Sequence, residues 1–277
     1  MADLERILQL TPGTLSQQWY EDGAAVDPGT VTIGITSADG TVIVTAGTGT
    51  TGAGSNPRTY SLTTTHTALL DRFTVTWTST SKGTLVSYVE VVGDFVFTLA
   101  ELSALKPGNL TWSASTMAEM RTTVEQSVED EYGTALVPRY RYETLSGHPN
   151  EALKLRAPVR AIRSASVNGV ALDQSALDGL YVTGGYVTGY QWAYGIGNVV
   201  VGYEYGLDDP PRRMRQAALR LARQWLVSGP VDDRALGAVS PDGNFSFGLA
   251  TPGRGGSIFG LPDLDAAIHA SPYRVGV

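Results

Sequence analysis

The sequence predicts a multidomain β + α/β protein with an N-terminal β-sandwich, a small helical domain carrying a β-rich insertion, and an extended C-terminal arm. Three observations lead to this fold class. The 277 residues exceed the usual length of one domain. The 32 glycines occur among many Val, Thr and Ser residues, a composition typical of short strands and turns. Helical periodicity is clear in only two segments, about 115–132 and 211–228.

The N-terminal 97 residues carry two predicted β-hairpins. Apolar residues alternate from Val31 to Val44 on both sides of an Asp39-Gly40 turn. They alternate again from Arg72 to Val91 around a turn at Lys82-Gly83, with Trp77 on the apolar face. Four or more antiparallel strands around a buried tryptophan predict a small β-sandwich.

The first predicted helix covers about residues 115–132. Thr116 and Glu119 have the spacing of a capping box, in which both side chains bond to amides of the first turn. Gly133 supplies a stop. The apolar stripe of the helix consists of Met117, Met120, Val124 and Val128, and the acidic residues Glu125, Glu129 and Asp130 are expected to face away from it.

Residues 136–206 return to β-type alternation and form the predicted insertion. Asn168-Gly169 between two valines is a strong hairpin turn, because this pair tolerates positive φ at both positions. A strand from Val199 to Tyr205 ends the insertion. The run Asp208 to Pro211 then offers a cap and a first-turn proline for the second helix.

The second predicted helix, about residues 211–228, has two different sides. Met214, Ala218 and Leu221 lie on a broad apolar side, whereas five arginines occur from Arg212 to Arg223 without one acidic residue. An unmixed cationic face indicates an acidic partner. We expect that partner to be the same chain or a neighbouring subunit ahead of nucleic acid, because the whole chain is acidic. The candidate residues for a subunit interface or channel are Glu125, Glu129, Asp130, Arg213, Arg220 and Arg223.

The C-terminal arm comprises residues 229–277. From Gly229 to Gly256 the chain is rich in Gly, Pro, Ser and Asp, which predicts a long loop or a flexible arm. The closing segment recovers apolar character but is too short to fold alone, so it is expected to dock on another surface. The docking candidates are Ile258, Phe259, Leu261, Leu264, Ile268 and Tyr273.

No catalytic, cofactor-binding or metal-binding residue is predicted. The chain has no cysteine, and its 3 histidines are far apart in sequence. The segment Gly47 to Gly52 matches the dinucleotide-binding fingerprint, but Ala53 to Pro57 follows where that motif requires a helix. We therefore expect a protein that is not an enzyme and has no cofactor. A catalytic cluster assembled from distant residues is the enzymatic alternative.

The charge balance also limits the function. A net charge of −7 is unsuited to gripping nucleic acid, because Lys and Arg supply most of that affinity by neutralising phosphates. The N-terminal residues are acidic where a signal peptide is basic, and no apolar run approaches the roughly 20 residues of a membrane span. We expect the chain to be made in the cytosol and to have no membrane partner.

Several short segments carry a resemblance to a known family. In chain order they are Glu131-Tyr132-Gly133, Pro158 to Ile162, Val167-Asn168-Gly169, Tyr203 to Gly206, Pro210-Pro211, Gln216 to Ala222, and Gly260 to Ala266. Their order, from about Leu99 to the end, resembles the head-to-tail connector adaptor family of long-tailed (siphovirus-type) bacteriophages. The stretch Phe73 to Trp77 is similar to the immunoglobulin-like domains that phage structural proteins carry.

The resemblance implies a structural virion protein of the phage neck, made in the host bacterial cytoplasm. It implies a homo-oligomeric ring, commonly of twelve subunits, between the portal and the next connector (stopper) or a tail terminator. Double-stranded DNA would pass through the lumen without sequence-specific binding. From the apolar residues that follow the flexible arm, we expect the segment from Ile258 to Tyr273 to dock on the portal. The implied domains are an immunoglobulin-like sandwich at 1–97, a connector adaptor domain at 98–228, and the loop and docking arm at 229–277.

Two other functions stay open from the sequence. One is a baseplate or fibre-type binding protein whose β-sandwich recognises a host surface glycan or protein. The other is a DNA-binding module, which would show a steep salt dependence of its affinity for duplex DNA.

Overall fold

A computed structural model describes residues 4–47, 52–108, 110–149, 151–228, 235–236, 248–249, 258–259 and 261–273 of the protein. The chain is rich in β-sheet and divides into two compact units, each made from two separate stretches of sequence. Unit 1 comprises Met1–Asp94 and Pro138–Gly206, and unit 2 comprises Phe95–Val137 and Leu207–Val277. The helices within the described ranges are α1 (Leu99–Ala104), α2 (Ala114–Tyr132), α3 (Gln174–Asp178), α4 (Arg212–Ser228) and α5 (Pro262–His269).

Unit 1 begins with two β-layers formed by the N-terminal residues. Five strands form a sheet in the order β1-β9-β8-β5-β6, in which β1 runs parallel to β9 and the other neighbours are antiparallel, and β2 pairs with β7 in a separate antiparallel ladder. The strands are β1 (Leu4–Leu8), β2 (Gly13–Gln17), β3 (Tyr20–Glu21), β4 (Ala24–Ala25), β5 (Val31–Thr36), β6 (Val42–Gly47), β7 (Arg58–Leu62), β8 (Asp71–Ser79) and β9 (Gly83–Val92).

The two layers bury a common core. Leu15 of β2 and Leu62 of β7 pack in one apolar cluster with Ile33 of β5 and Trp77 of β8. Alternate residues along β5 and β8 point into this cluster, as strand geometry requires. Both predicted hairpins are confirmed, because β5 pairs with β6 and β8 pairs with β9. Strands β1 and β2 were not predicted, because each has only five residues and no clear alternation of apolar and polar side chains.

The insertion adds two further sheets to unit 1. One has the strand order β10-β16-β12-β13 and the other β11-β15-β14. The predicted hairpin at Asn168-Gly169 is confirmed, since Val167 pairs with Val170 and the two turn residues have φ of 52° and 78°. The strands are β10 (Arg139–Gly147), β11 (Leu153–Lys154), β12 (Val159–Val167), β13 (Val170–Ala171), β14 (Tyr181–Thr183), β15 (Tyr186–Thr188) and β16 (Gly195–Tyr205).

The insertion groups with the N-terminal strands, whereas the predicted division placed it with the helices in 98–228. A buried ion triad explains the grouping. The carboxylate of Glu90 on β9 accepts a hydrogen bond from Nε of Arg6 on β1 at 3.2 Å and another from the guanidinium of Arg139 on β10. In addition, the Gly93 N–H donates to the Pro138 carbonyl at 2.9 Å. These contacts join residues far apart in sequence, so local patterns do not report them.

Unit 2 is a helical unit with one apolar core. That core takes Leu102 from α1, Val124 from α2, Leu221 from α4, and both Leu264 and Ile268 from α5. The helices α2 and α4 occupy the two segments with helical periodicity, and the apolar side of α4 is buried as the pattern predicts. Two short strands, β17 (Ala235–Leu236) and β18 (Gly248–Leu249), pair antiparallel.

The starts of the helices differ from the prediction. The capping box is at Thr98 and Glu101, where each side chain bonds to the other residue's backbone N–H, and it begins the unpredicted helix α1. The predicted box at Thr116 and Glu119 is wrong. Helix α2 is instead capped by Ser113, whose hydroxyl accepts from the Thr116 N–H at 3.1 Å.

Two sequence predictions fall largely outside the described residues. They are the loop from Gly229 to Gly256, of which the structure describes only β17 and β18, and the centre of the glycine-rich segment, residues 48–51. No helix in the described ranges is long and apolar enough to cross a membrane.

Candidate functional site

Helix α4 presents a row of arginines because its apolar residues occupy the core. Met214, Ala218 and Leu221 are buried, and their spacing of three to four residues fixes one side of the helix inward. The opposite side therefore faces solvent. The exposed arginines of α4 are Arg212, Arg213, Arg215, Arg220 and Arg223.

Two of these arginines have partners on or beside α1. Arg215 donates to Oε1 of Glu101 at 2.7 Å, and Nε of Arg223 donates to the Leu105 carbonyl at 2.9 Å. The Thr98 N–H and then the Arg215 guanidinium hold the pKa of Glu101 below its usual value. Arg223, a predicted interface residue, thus already has one contact within its own unit.

Three arginines line a groove on unit 2, which we call the arginine groove. It has a volume of about 790 Å³ and lies between the N-terminal half of α4 and helix α5. Arg212, Arg213 and Arg220 form its charged rim, and Tyr132 and Ala267 contribute to its apolar lining. The arrangement therefore combines a concave, partly apolar surface with three cationic side chains, which fits an anionic and partly apolar partner.

The structure places two predicted acidic residues in the interior. Glu125 is 0% exposed, and its Oε1 accepts from the Val96 N–H at 2.8 Å. Glu129 is 6% exposed, and its Oε1 accepts from the Leu136 N–H at 2.9 Å. The expectation that these carboxylates face outward is wrong, because they accept hydrogen bonds from backbone N–H groups before α1 and after α2. They have almost no exposed surface to offer to a neighbouring subunit.

The outer face of α2 nevertheless remains acidic. Asp130 is exposed, as the sequence predicts, and so are Glu119 and Thr123. These positions and the half-buried Gln126 are spaced by four, three and four residues, so they share one side of the helix. We call Glu119, Thr123, Gln126 and Asp130 the α2 outer face.

The closing segment docks on its own chain. Leu264 and Ile268 are both 0% exposed within the core of unit 2. Ile258, Phe259, Leu261 and Tyr273 are half-buried against the same core. The segment therefore docks, as expected, and the surface that buries its apolar side chains is the core of its own unit, to which α2 and α4 contribute.

Polar and aromatic contacts hold this segment in place. The Ser271 hydroxyl donates to the Tyr132 carbonyl at 2.6 Å, and the Phe259 N–H donates to Oδ1 of Asp265 at 2.8 Å. The ring of Tyr273 lies 6.0 Å from that of Tyr132. The same contacts position α5 as one wall of the arginine groove. The sequence does not predict this groove, because it depends on the docking of α5. The sequence does show that Arg213, Gln216 and Arg220 have the spacing of one helix side.

The described part of the chain contains no candidate metal site. No group of three or more His, Asp or Glu side chains there is placed to hold a metal ion.

Comparisons with known proteins give structural similarity at low sequence identity. No protein-family model and no curated protein matches the chain. A chain in the neck of an empty gene transfer agent particle, in a structure computed with C6 symmetry, is 16% identical with a TM-score of 0.46, covering 66% of this chain and 91% of that one.

Two further solved structures are similar to this chain. A chain of the native gene transfer agent virion is 15% identical with a TM-score of 0.44, covering 66% of this chain and 96% of that one. A chain of the ZIG-8–RIG-5 IG1–IG1 heterodimer is 12% identical with a TM-score of 0.21, covering 33% and 83%. At these identities and TM-scores the similarities assign neither a family nor a function to this chain.

Proposed function

We propose that the protein is a structural component of a phage-type virion neck, in which it forms an adaptor ring between the portal and the next connector or tail component. DNA would pass through the lumen of this ring. The observation that carries the proposal is that four of the seven segments with the adaptor resemblance lie in one helical unit, unit 2, and that three of these four contribute to its core.

Three segments show this convergence. Tyr132, from the Glu-Tyr-Gly segment, is buried at the end of α2. Ala218 and Leu221 come from the segment Gln216 to Ala222, and Leu264 comes from the closing segment. All four side chains belong to the core of unit 2. Three of the resembling segments, spread over more than a hundred residues, thus pack into one core, which supports a common fold rather than a chance match of short motifs.

The charge distribution of unit 2 supports assembly into a closed ring. Neighbouring subunits in a ring make heterologous contacts, so one chain must present two different and complementary surfaces. The exposed arginines of α4 and the α2 outer face have opposite charges. We retain Asp130, Arg213, Arg220 and Arg223 as proposed interface residues. A net charge of −7 per subunit is also compatible with DNA that must later move through the lumen.

We further propose that the N-terminal layers form an immunoglobulin-like domain. Its sheet order β6-β5-β8-β9 corresponds to the strands C′, C, F and G of that fold, and the β2–β7 ladder corresponds to B and E. We assign this domain an accessory position in the ring, since the adaptor resemblance begins only at about Leu99.

The portal and the next connector are the proposed protein partners. Leu264 and Ile268 contribute no direct contact to the portal in this proposal, because both are buried in unit 2. Phe259, Leu261 and Tyr273 keep part of their surface exposed and are the residues of the closing segment that can reach a partner. The proposal assigns no catalytic role to the chain.

Electron microscopy of the full chain, alone and mixed with a portal ring, tests this function. We expect rings of this protein that stack coaxially on the portal. A protein that stays monomeric over a wide concentration range and forms no coaxial complex would contradict the proposal. Binding of the same protein to host glycans, without ring formation, would favour the alternative of a fibre-type binding protein.

A further inference from the structure

We propose that the arginine groove of one subunit receives the α2 outer face of a second copy of this chain. The proposal rests on the ring described above and assigns a site to its subunit contact. It also sets the relative direction of the two helices. Three features support this contact: the shape of the groove, the spacing of the charges, and the polarity of the two helix ends.

The groove has the size needed to hold part of a helix. An α-helix is about 10 Å across and rises 1.5 Å per residue, so eleven residues sunk to half their depth displace roughly 600 Å³. The groove volume of about 790 Å³ accommodates this. Its rim follows α4 from Arg212 to Arg220, so a helix lying along α4 would meet cationic side chains at both ends of the contact.

The charged positions on the two helices have matching separations. On the α2 outer face, Glu119 and Asp130 are eleven residues apart, and the residues between them on that face are the uncharged Thr123 and Gln126. On α4, Arg212 on the groove rim and Arg223, three residues beyond the rim residue Arg220, are also eleven residues apart, which is about 16 Å along a helix. Two acidic ends can therefore meet two basic ends at the same time.

Helix polarity favours an antiparallel arrangement. The first turn of α4 contains no acidic residue, so its partial positive charge adds to Arg212 and Arg213. The last turn of α2 contains no basic residue, so its partial negative charge adds to Asp130. Placing Asp130 opposite Arg212 and Glu119 opposite Arg223 brings these unlike ends together. In this register Gln126 lies opposite Gln216.

Protein fits the groove better than nucleic acid does. Tyr132, Ala217 and Ala267 give it an apolar lining, which a phosphate backbone would not cover. A second copy is the favoured protein because this chain itself carries the acidic face with the required spacing. Since the groove and the α2 outer face are different surfaces of one chain, repeated contact of this kind joins subunits head to tail and can close a ring.

Complementary charge reversal tests the contact. The groove variant is Arg212→Glu with Arg223→Glu, the two arginines that this register places opposite Asp130 and Glu119. The face variant is Glu119→Arg with Asp130→Arg. We expect each variant alone to need at least about tenfold higher concentration for half-assembly, measured by mass photometry, because like charges then face each other. An equimolar mixture of the two variants should recover assembly. In the mixture, the acidic groove of the groove variant can bind the basic α2 outer face of the face variant, and the basic groove of the face variant can bind the acidic face of the groove variant.

The control carries Arg72→Glu and Lys154→Glu, which make the same charge change at exposed positions of unit 1. It should assemble like the wild type. A groove variant that forms normal rings overturns the proposed contact and leaves the ring itself intact. If that variant instead loses only portal binding or only duplex-DNA binding, the occupant is the portal or DNA, and the proposal is wrong. A wild-type chain that never self-associates contradicts both the contact and the ring.

Engineered cysteines test the direction of the helices, because the chain contains no cysteine of its own. The antiparallel register predicts that a chain with Gln216→Cys and Gln126→Cys oxidises into a ladder of covalent oligomers on a non-reducing gel. A disulfide requires Cα atoms within about 7 Å, so the reaction is selective. The matched control is Gln216→Cys with Thr123→Cys. These two cysteines would come close enough to form a disulfide only if the helices were parallel. A ladder in the control alone, or in neither chain, contradicts the antiparallel contact.

Discussion

At the scale of single residues, the buried ion triad of unit 1 is the most consequential arrangement. Arg6, Glu90 and Arg139 are all buried, and one carboxylate serves two guanidinium groups. Burying charged groups is costly unless they are paired, so the removal of the shared partner is more damaging than the loss of an exposed ion pair. The triad thereby makes folding of the N-terminal strands depend on Arg139 of the insertion.

We predict that Glu90→Ala lowers the free energy of unfolding by about 3–5 kcal/mol, because two arginines remain buried without their shared carboxylate. Urea denaturation followed by circular dichroism measures this change. The control is Glu21→Ala, which removes an exposed ion pair to Lys82 and should cost less than about 1 kcal/mol. Equal effects of the two substitutions would show that the triad does not stabilise unit 1.

A second prediction concerns pH and the Glu101 carboxylate of unit 2. The Thr98 N–H and the Arg215 guanidinium hold its pKa below the usual value in the folded state. A carboxyl group with a lowered folded pKa adds stability above its unfolded pKa of about 4.3, and this contribution is lost as pH falls through the folded pKa. The stability advantage of the wild type over Glu101→Gln should therefore be largest above about pH 5 and shrink in acid.

Denaturation midpoints at a series of pH values measure this difference. In Arg215→Ala the pH-dependent part should be smaller but still present, because the Thr98 contact remains. If the wild type and Glu101→Gln lose stability in parallel across the acidic range, the capping contact has no effect on this carboxyl group.

At the scale of elements, amphipathic patterns predict much of the structure and fail where a side chain has a distant partner. The alternation around Trp77 and the arginine-free side of α4 indicate their buried faces correctly. The burial of Glu125 and Glu129 could not be predicted, because it depends on N–H groups at Val96 and Leu136 that only the folded chain brings close. The wall of the arginine groove that α5 forms could not be predicted either, because the docking of α5 is a tertiary contact.

Helix α5 provides a direct test of that docking. Leu264→Ala should lower the free energy of unfolding by about 2–5 kcal/mol, since the side chain is fully buried and its removal leaves a cavity. Thermal denaturation measures the loss. Ala266→Ser, at an exposed position of the same helix, is the control and should change stability by less than about 0.5 kcal/mol. A negligible effect of Leu264→Ala would mean that α5 does not pack on unit 2 in solution.

At the scale of the whole molecule, each unit is discontinuous in sequence. The chain enters unit 2 at Phe95, returns to unit 1 at Pro138, and re-enters unit 2 at Leu207. Composition and turn signals correctly indicate more than one folded part and a β-rich chain. They cannot indicate which part the insertion joins, because the contacts of Glu90 with Arg139 and of Arg163 with the Leu70 carbonyl are remote in sequence.

This organisation predicts the outcome of shortening the chain. A protein consisting of residues 95–277 retains all of unit 2 but loses the strands on which the insertion packs. In this shortened protein Arg139 lacks its partner Glu90. Arg163 lacks the Leu70 carbonyl, to which it donates a hydrogen bond of 2.6 Å in the full chain. We expect unit 2 to keep protected amides in hydrogen exchange, while residues 138–206 exchange at least about tenfold faster than in the full chain, because local stability follows local contacts. Equal protection of the insertion in both proteins would instead show that residues 98–228 fold as one domain, as the adaptor resemblance implies.

The shortened chain should still form rings, because unit 2 carries both proposed assembly surfaces. Its exchange pattern would then separate folding of the insertion from assembly of the ring.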